Sequence, residues 1–172
     1  MVARVAAAEW FLRYLAADLI ADELRLGKRG EGAFHAGRMF ARRARQALAR
    51  SEPLLVESPL SGLAMRRFIR RARASGYRVS VGLVYVGSAE VCIRRIRARA
   101  EAGGHSVPDA DVRRRFRRSL VNFWELYRFD ADAWHLTHNG GREAVSVAFG
   151  EGSRGVVTES TYFERFLGLL KR

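Results

Sequence analysis

Apolar positions recur at helical spacing over residues 3–15, where Val5, Ala8, Phe11, Leu12 and Leu15 share one face. The pattern predicts an amphipathic helix running into a short extended piece near 14–17, with Asp18 where that piece ends. DLIADELRL (18–26) reads as a short helix and GKRGEG (27–32) as a glycine-rich loop. Residues 34–50 predict a second helix whose apolar face holds Phe34, Met39, Phe40, Ala44, Ala47 and Leu48. PLLVES (53–58) has the character of a buried parallel strand ending in a carboxylate. Residues 62–75 predict a helix with Arg66, Arg67, Arg70, Arg71 and Arg73 on its polar face.

GYRVSVGLVYVG (76–87), bounded by glycines and rich in β-branched residues, is the strongest strand signal. Ser88 is the expected N-cap of a helix over 89–102, with Glu90 in its first turn. A second long helix is expected over 109–127, then strands near 133–138 and 144–149. A last helix reaches Leu170, capped by Thr158 or Ser160. Strand and helix alternate in the order that builds a parallel sheet covered on both faces, with ligands at the carboxyl ends of its strands. Asp18, Glu57 and the loop after Val86 fall at such ends. One domain over residues 1–172 is expected, since no repeat, low-complexity tract or linker interrupts the chain.

Charge changes this picture. Lys and Arg number 31 against 18 Asp and Glu, a net charge of +13, and Lys28 and Lys171 are the only lysines. The excess is therefore arginine, whose planar fork suits phosphate, although such a composition also arises without any ligand. Cys92 is the only cysteine, which excludes an internal disulfide and fits a reducing cytoplasm. Glu9, Arg13 and Asp18 interrupt any secretory core, and the longest uncharged apolar stretch, 79–89, is about half of what a membrane-spanning helix needs. His135 and His138 are too few ligands for a metal site, and Cys92 reads as core.

Arg95 and Arg99 lie four apart on one helix, and Arg114 and Arg118 repeat that spacing on the next. Four guanidiniums on facing helices would clamp an anion; the structural alternative is a solvated basic face. Between the two helices stands GGHSVP (103–108). With V-x-R-R-F-x-R-S-L-x-N-F after it and I-x-R-I-x-x-R before it, this stretch resembles the lid of the zeta-toxin-like P-loop kinases. A-A-D-L-I-A (16–21), A-G-R (36–38), E-S-P-L-S-G (57–62) and S-G-Y-R-V (75–79) resemble further segments of that family, in order.

The resemblance implies a three-layer P-loop-kinase-like α/β sandwich with a helical lid at about 89–127, and an ATP- and Mg-dependent phosphotransferase for a nucleotide-sugar substrate. The bacterial toxin members act on UDP-N-acetylglucosamine. It makes Asp18 the general base, and sets Glu57, Ser58 and Arg38 on the substrate, with Ser61 near Glu57. Arg95, Arg99, Arg114 and Arg118 would lie on the nucleotide and the transferred phosphoryl, with His105 and Asn122 shaping the lid. An antitoxin-like protein partner is also implied; nucleic acid is a rival partner supported by charge alone.

The pattern departs from the family at one decisive point. G-x-x-x-x-G-K-[ST], whose backbone N–H groups, lysine and hydroxyl hold the phosphates and magnesium, is absent from these residues, and its place would fall at or before Met1. Ala16 replaces the family's asparagine, and His138-Asn139-Gly140 stands where a D-N-S-like triplet is usual. The expectation is a domain without its central first strand, inactive or incomplete as a kinase. In it the strands at 54–58 and 79–86 would pair directly, or the N-terminal segment would cover the gap.

Overall fold

The computed structural model describes residues 13–24, 30–104 and 106–171. The helix expected over 3–15, Lys28 of the glycine-rich loop and His105 lie outside the described residues, except for the extended end of that helix, described from Arg13. The fold is mixed α/β and divides after Ser58 into two compact units.

The first unit holds β1 (Arg13–Ala16), α1 (Ala17–Glu23), α2 (Gly30–Ala49) and β2 (Leu54–Glu57). β1 and β2 pair in parallel, Arg13 opposite Leu54 and Ala16 opposite Glu57, which requires the helical crossover between them. Ile20 of α1 packs on Ala36, Met39 and Phe40 of α2, and Arg43 donates to both oxygens of Glu23 at 2.6 and 2.8 Å. The helix starts four residues earlier than the pattern suggested, so Gly30, Glu31 and Gly32 form its first turn; Glu31 there complements the helix dipole. Phe34, expected on the apolar face, is 66% exposed, with the Arg38 guanidinium 4.7 Å from its ring centre.

The second unit holds α3 (Ala64–Ala74), β3 (Ser80–Tyr85), α4 (Ala89–Glu101), α5 (Asp109–Asn122), β4 (Ala133–His138), β5 (Val145–Glu151), β6 (Arg154–Val157) and α6 (Ser160–Leu170). A π-helical turn, Phe123–Tyr127, and a last turn, Arg128–Asp130, extend α5. β3 and β4 are parallel, while β5 and β6 add on antiparallel, giving the order β3-β4-β5-β6. The sheet is thus mixed rather than all parallel. β6 was not expected; its hairpin turns on two residues, Gly152 and Ser153, with Gly152 at φ +54°, which a glycine adopts freely. Thr158 does not cap α6; its hydroxyl donates to the Ser146 carbonyl at 2.8 Å, and Glu159 is the N-cap.

β2 and β3 belong to separate sheets and do not pair, contrary to the first of the two expectations above. Each finds its ladder elsewhere, β2 with β1 and β3 with β4. The second expectation, a covering N-terminal segment, lies outside the described residues.

The core of the second unit lies against one face of its sheet. Val81, Leu83, Tyr85, Trp134, Leu136, Val147 and Ala148 point to it, and Ile69, Leu120, Phe123, Tyr127 and Phe166 close over them. Trp124 meets Trp134, Phe163 and Phe166 edge to face at 5.4–5.8 Å, a geometry the ring quadrupoles favour. These aromatics interleave with arginines in the sequence, and Phe123 and Tyr127 are fully buried core.

Three of the five arginines of α3 are spent on this core. Arg66 and Arg70 both donate to the carboxylate of buried Asp130, Arg70 at 3.0 and 3.1 Å. Arg73 reaches the Asp130 carbonyl at 3.1 Å and the Asp132 carboxylate at 2.8 Å, and Asp132 accepts the Val79 N–H at 2.8 Å. Burial would push the Asp130 carboxyl up, but the hydrogen bonds from Arg66 and Arg70 outweigh it and hold it below its usual value. Its contribution to stability is therefore present above about pH 4 and is lost as pH falls through the lowered folded-state value. Asp130→Asn should cost about 2 kcal/mol at pH 7, and urea titrations at pH 7 and about pH 3 should show that cost shrinking in acid.

Candidate functional site

α4 and α5 form an antiparallel arm between the parallel strands β3 and β4. Ser88 occupies the N-cap position of α4, as expected, but its side chain closes no cap. Glu90 serves instead: its carboxylate accepts its own backbone N–H, which leads the causes that hold its carboxyl low. At the other end Gly103, at φ +92°, donates to the Ala100 carbonyl at 3.1 Å and Gly104 to that of Arg99 at 2.9 Å. This is a Schellman closure. A Cβ on Gly104 would lie 2.8 Å from the Arg99 carbonyl oxygen, so both glycines are required by geometry. Pro108 then caps α5, its carbonyl accepting from Asp111 at 2.9 Å and Val112 at 3.1 Å. GGHSVP is thus a helix stop followed directly by a helix start.

Two ion pairs staple the arm, Arg97 to Asp109 at 2.6 Å and Arg113 to Glu90 at 3.4 Å. Its base is tied to the loop that follows β2. Ser119 donates to the Pro59 carbonyl and Asn122 to that of Leu60 at 2.9 Å. Asn122 therefore does hold the arm's position, through a segment the sequence reading had set on the substrate side.

The staples also settle the four-arginine clamp. They put Arg118 level with the start of α4 and Arg99 beside the turn, about 18 Å apart along the helix axes at a rise of about 1.5 Å per residue. A repeat of four residues runs in opposite directions on antiparallel helices, so the two pairs spread along the arm instead of converging. Arg114 is engaged on its own helix, 2.7 Å from Asp111. Arg99 and Arg118 meet no carboxylate among the described residues. Arg95 donates through Nη2 to the Asn139 carbonyl at 2.7 Å, which fastens α4 to the turn after β4.

In the first unit, Ala16 and Glu57 are register partners, so Asp18, two residues past Ala16, and Glu57 leave the same carboxyl edge of the strand pair. Asp18 sits inside the first turn of α1 and Ala16 is the N-cap. Only the backbone of Asp18 is described. Glu57 is exposed rather than buried, and it accepts the Tyr14 hydroxyl. Ser58 is half-buried, and Arg38 is exposed on α2 beside Phe34, 3.4 Å from His35 Nδ1.

A group that sequence reading set aside occupies the carboxyl ends of β3 and β4. Asn139 donates its backbone N–H to the Tyr85 carbonyl at 2.8 Å, and the Tyr85 hydroxyl donates to the Tyr162 carbonyl at 2.7 Å. The His138 ring stacks on Tyr162 at 4.3 Å, and Arg165 lies 5.7 Å from the Tyr162 ring centre. Burial, then the positive charges of Arg165 and Arg95, push the His138 imidazole below its usual value. Burial also raises the Tyr85 hydroxyl to about 12 and raises the Cys92 thiol. A Cβ on Gly140 would come 2.5 Å from His138 Cε1, so the turn folds against the imidazole. Neither Arg95 nor Arg165 meets a carboxylate among the described residues. His138 lay one residue from a recognisable strand end, but Tyr162 and Arg165 arrive from α6, which no local pattern links to it.

No family model matches the chain, and no curated protein or solved structure matches it. Among the described residues no group of His, Cys, Asp and Glu side chains could hold a metal ion, and no helix is long and apolar enough to cross a membrane.

Arg95→Gln should raise the His138 pKa, because removing a positive neighbour favours the imidazolium; histidine NMR titration reads the sign directly. Gly103→Ala should cost about 1 kcal/mol in thermal or urea unfolding, since alanine is strained at that positive φ.

Proposed function

We propose that this chain is a zeta-toxin-like, P-loop-kinase-like α/β domain that binds a phosphorylated small molecule and does not by itself transfer the phosphoryl group. The observation that carries the reading is the site at the carboxyl ends of β3 and β4, where Arg95 holds the Asn139 carbonyl next to His138, Arg165 lies at the Tyr162 ring on which His138 stacks, and neither arginine meets a carboxylate among the described residues. Cations held close together around a depressed imidazole are electrostatically costly, and an anion relieves that cost. Arginine forks supply the paired donors that phosphate oxygens accept. The carboxyl end of a parallel strand pair is also where open α/β sheets place their ligands.

Two parallel strand pairs with helical crossovers support the P-loop-kinase-like α/β reading. In that fold a central strand lies beside both β2 and β3, and each has an edge with no ladder partner among the described residues.

The donor set does not fit Mg-ATP. Guanidiniums donate and cannot ligate a cation, and Glu90, Asp109 and Asp111, the carboxylates of the arm's helix starts, are each already paired with an arginine. The site suits the anion alone, so no phosphoryl-transfer step is assigned to Asp18 or to the arm.

Isothermal titration with pyrophosphate, ATP and UDP-N-acetylglucosamine tests the reading. Arg95→Gln and Arg165→Gln should each weaken binding about tenfold, as loss of a charge-assisted hydrogen bond does. Bound anion should raise the His138 pKa. Binding that both variants leave intact sinks the site, and label transferred from γ-labelled ATP to UDP-N-acetylglucosamine sinks the claim of no transfer.

A further inference from the structure

The sheet of the second unit has a packed face and a bare one. On β3 burial alternates strictly: Val81, Leu83 and Tyr85 are buried, while Ser80, Gly82 and Val84 are exposed. Across the bare face the register aligns Gly82, His135, Phe149 and Val156 in one row over all four strands. The rings of His135 and Phe149 stack in near-parallel planes, 26° apart, with centres 6.2 Å apart. Phe149 is 40% exposed and Val156 54%, and His135 is exposed as well. Open space lies where a Cβ of Gly82 would stand, so that residue leaves the row unobstructed on the β3 side.

Val84 adds an exposed apolar side chain beside this row, and the remaining exposed side chains of the face are polar or charged. Thr137 and Ser146 pair beside the aromatic row, and toward the other end Arg78 lies 3.7 Å from Glu151, which pairs with Arg154 in the β5–β6 ladder. The face is amphipathic, an aromatic and apolar row flanked by polar and charged positions. Its chemistry asks for an occupant that is flat, π-rich and anionic, and the net charge of +13 favours the same sign. Glu151, which faces Arg154 in the ladder, is offset by Arg78.

We infer that this bare face binds single-stranded nucleic acid, its bases stacking on the His135–Phe149 row and its phosphates lying toward Arg78 and Arg154. A duplex keeps its bases stacked on one another and cannot offer them to rings projecting from a pleated face, whereas a single strand can. The inference does not rest on the phosphate site at the ends of β3 and β4, which uses other residues.

Fluorescence anisotropy of the full chain with a labelled twelve-residue oligo-uridine, and with a duplex of equal length, tests it. The single strand should bind more tightly, with affinity falling as salt rises. Phe149→Ala should weaken single-strand binding about tenfold, the loss of one stacked base, while Phe149→Trp preserves or tightens it. Arg78→Gln with Arg154→Gln should flatten the salt dependence. Circular dichroism checks folding; if Phe149→Ala unfolds, Phe149→Leu carries the comparison with Phe149→Trp. Absence of binding, equal binding of duplex and single strand, or binding unchanged by loss of the ring overturns the inference. So does self-association of the chain that Phe149→Ala abolishes, because the face would then be an interface between copies.

Discussion

The carboxylate of Asp130 organises the second unit. It takes one hydrogen-bonding fork from Arg66 and another from Arg70, while Arg73 bridges its carbonyl to Asp132 and so to the start of β3. These contacts join α3, the foot of the two-helix arm and the first residues of both parallel strands at one point. Burying an ion is costly unless it is fully paired, and here the pairing comes from helix positions four residues apart on a single face.

The same shortage of carboxylates leaves some of the described arginines without an acidic partner. With 31 basic residues against 18 acidic ones, each acidic side chain that takes a partner leaves other guanidiniums uncompensated. Asp109, Asp111 and Glu90 spend theirs on the arm, giving it register and stiffness. Arg95 and Arg165 are left beside His138, and Arg154 at one end of the bare sheet face, where Arg78 offsets Glu151. Those two places differ in kind. One lies at the ends of two parallel strands; the other is an open sheet face carrying stacked rings.

The arm shows how local chemistry and register share the work. Its stop follows from two glycines that backbone geometry requires, and its restart falls at a proline whose fixed φ suits a helix start. The convergence of its arginines does not follow, because helical spacing describes one helix at a time. Antiparallel pairing carried Arg99 and Arg118 to opposite ends, and the Asn139 carbonyl captured Arg95.

By itself, the pattern of apolar and polar positions determined most of the element order. Strand β4, the arm helices, the aromatic core face at Phe123–Tyr127 and the N-cap position of Ser88 were all legible, since each depends on periodicity or a short cap. It also placed Asp18 and Glu57 at strand ends, which the β1–β2 register set on one edge. The β5–β6 hairpin was legible in principle, from Gly152 and Ser153 between β-branched runs. Only the tertiary structure decided that β2 and β3 join separate sheets, that Glu57 is exposed with Tyr14 as its partner, and that Arg66, Arg70 and Arg73 serve the core. It alone brought Tyr162 and Arg165 to His138 and left the His135–Phe149 row bare. The reason is physical: propensity and caps act within a few residues, whereas charge pairing and sheet register are settled between segments that meet only after the chain has folded.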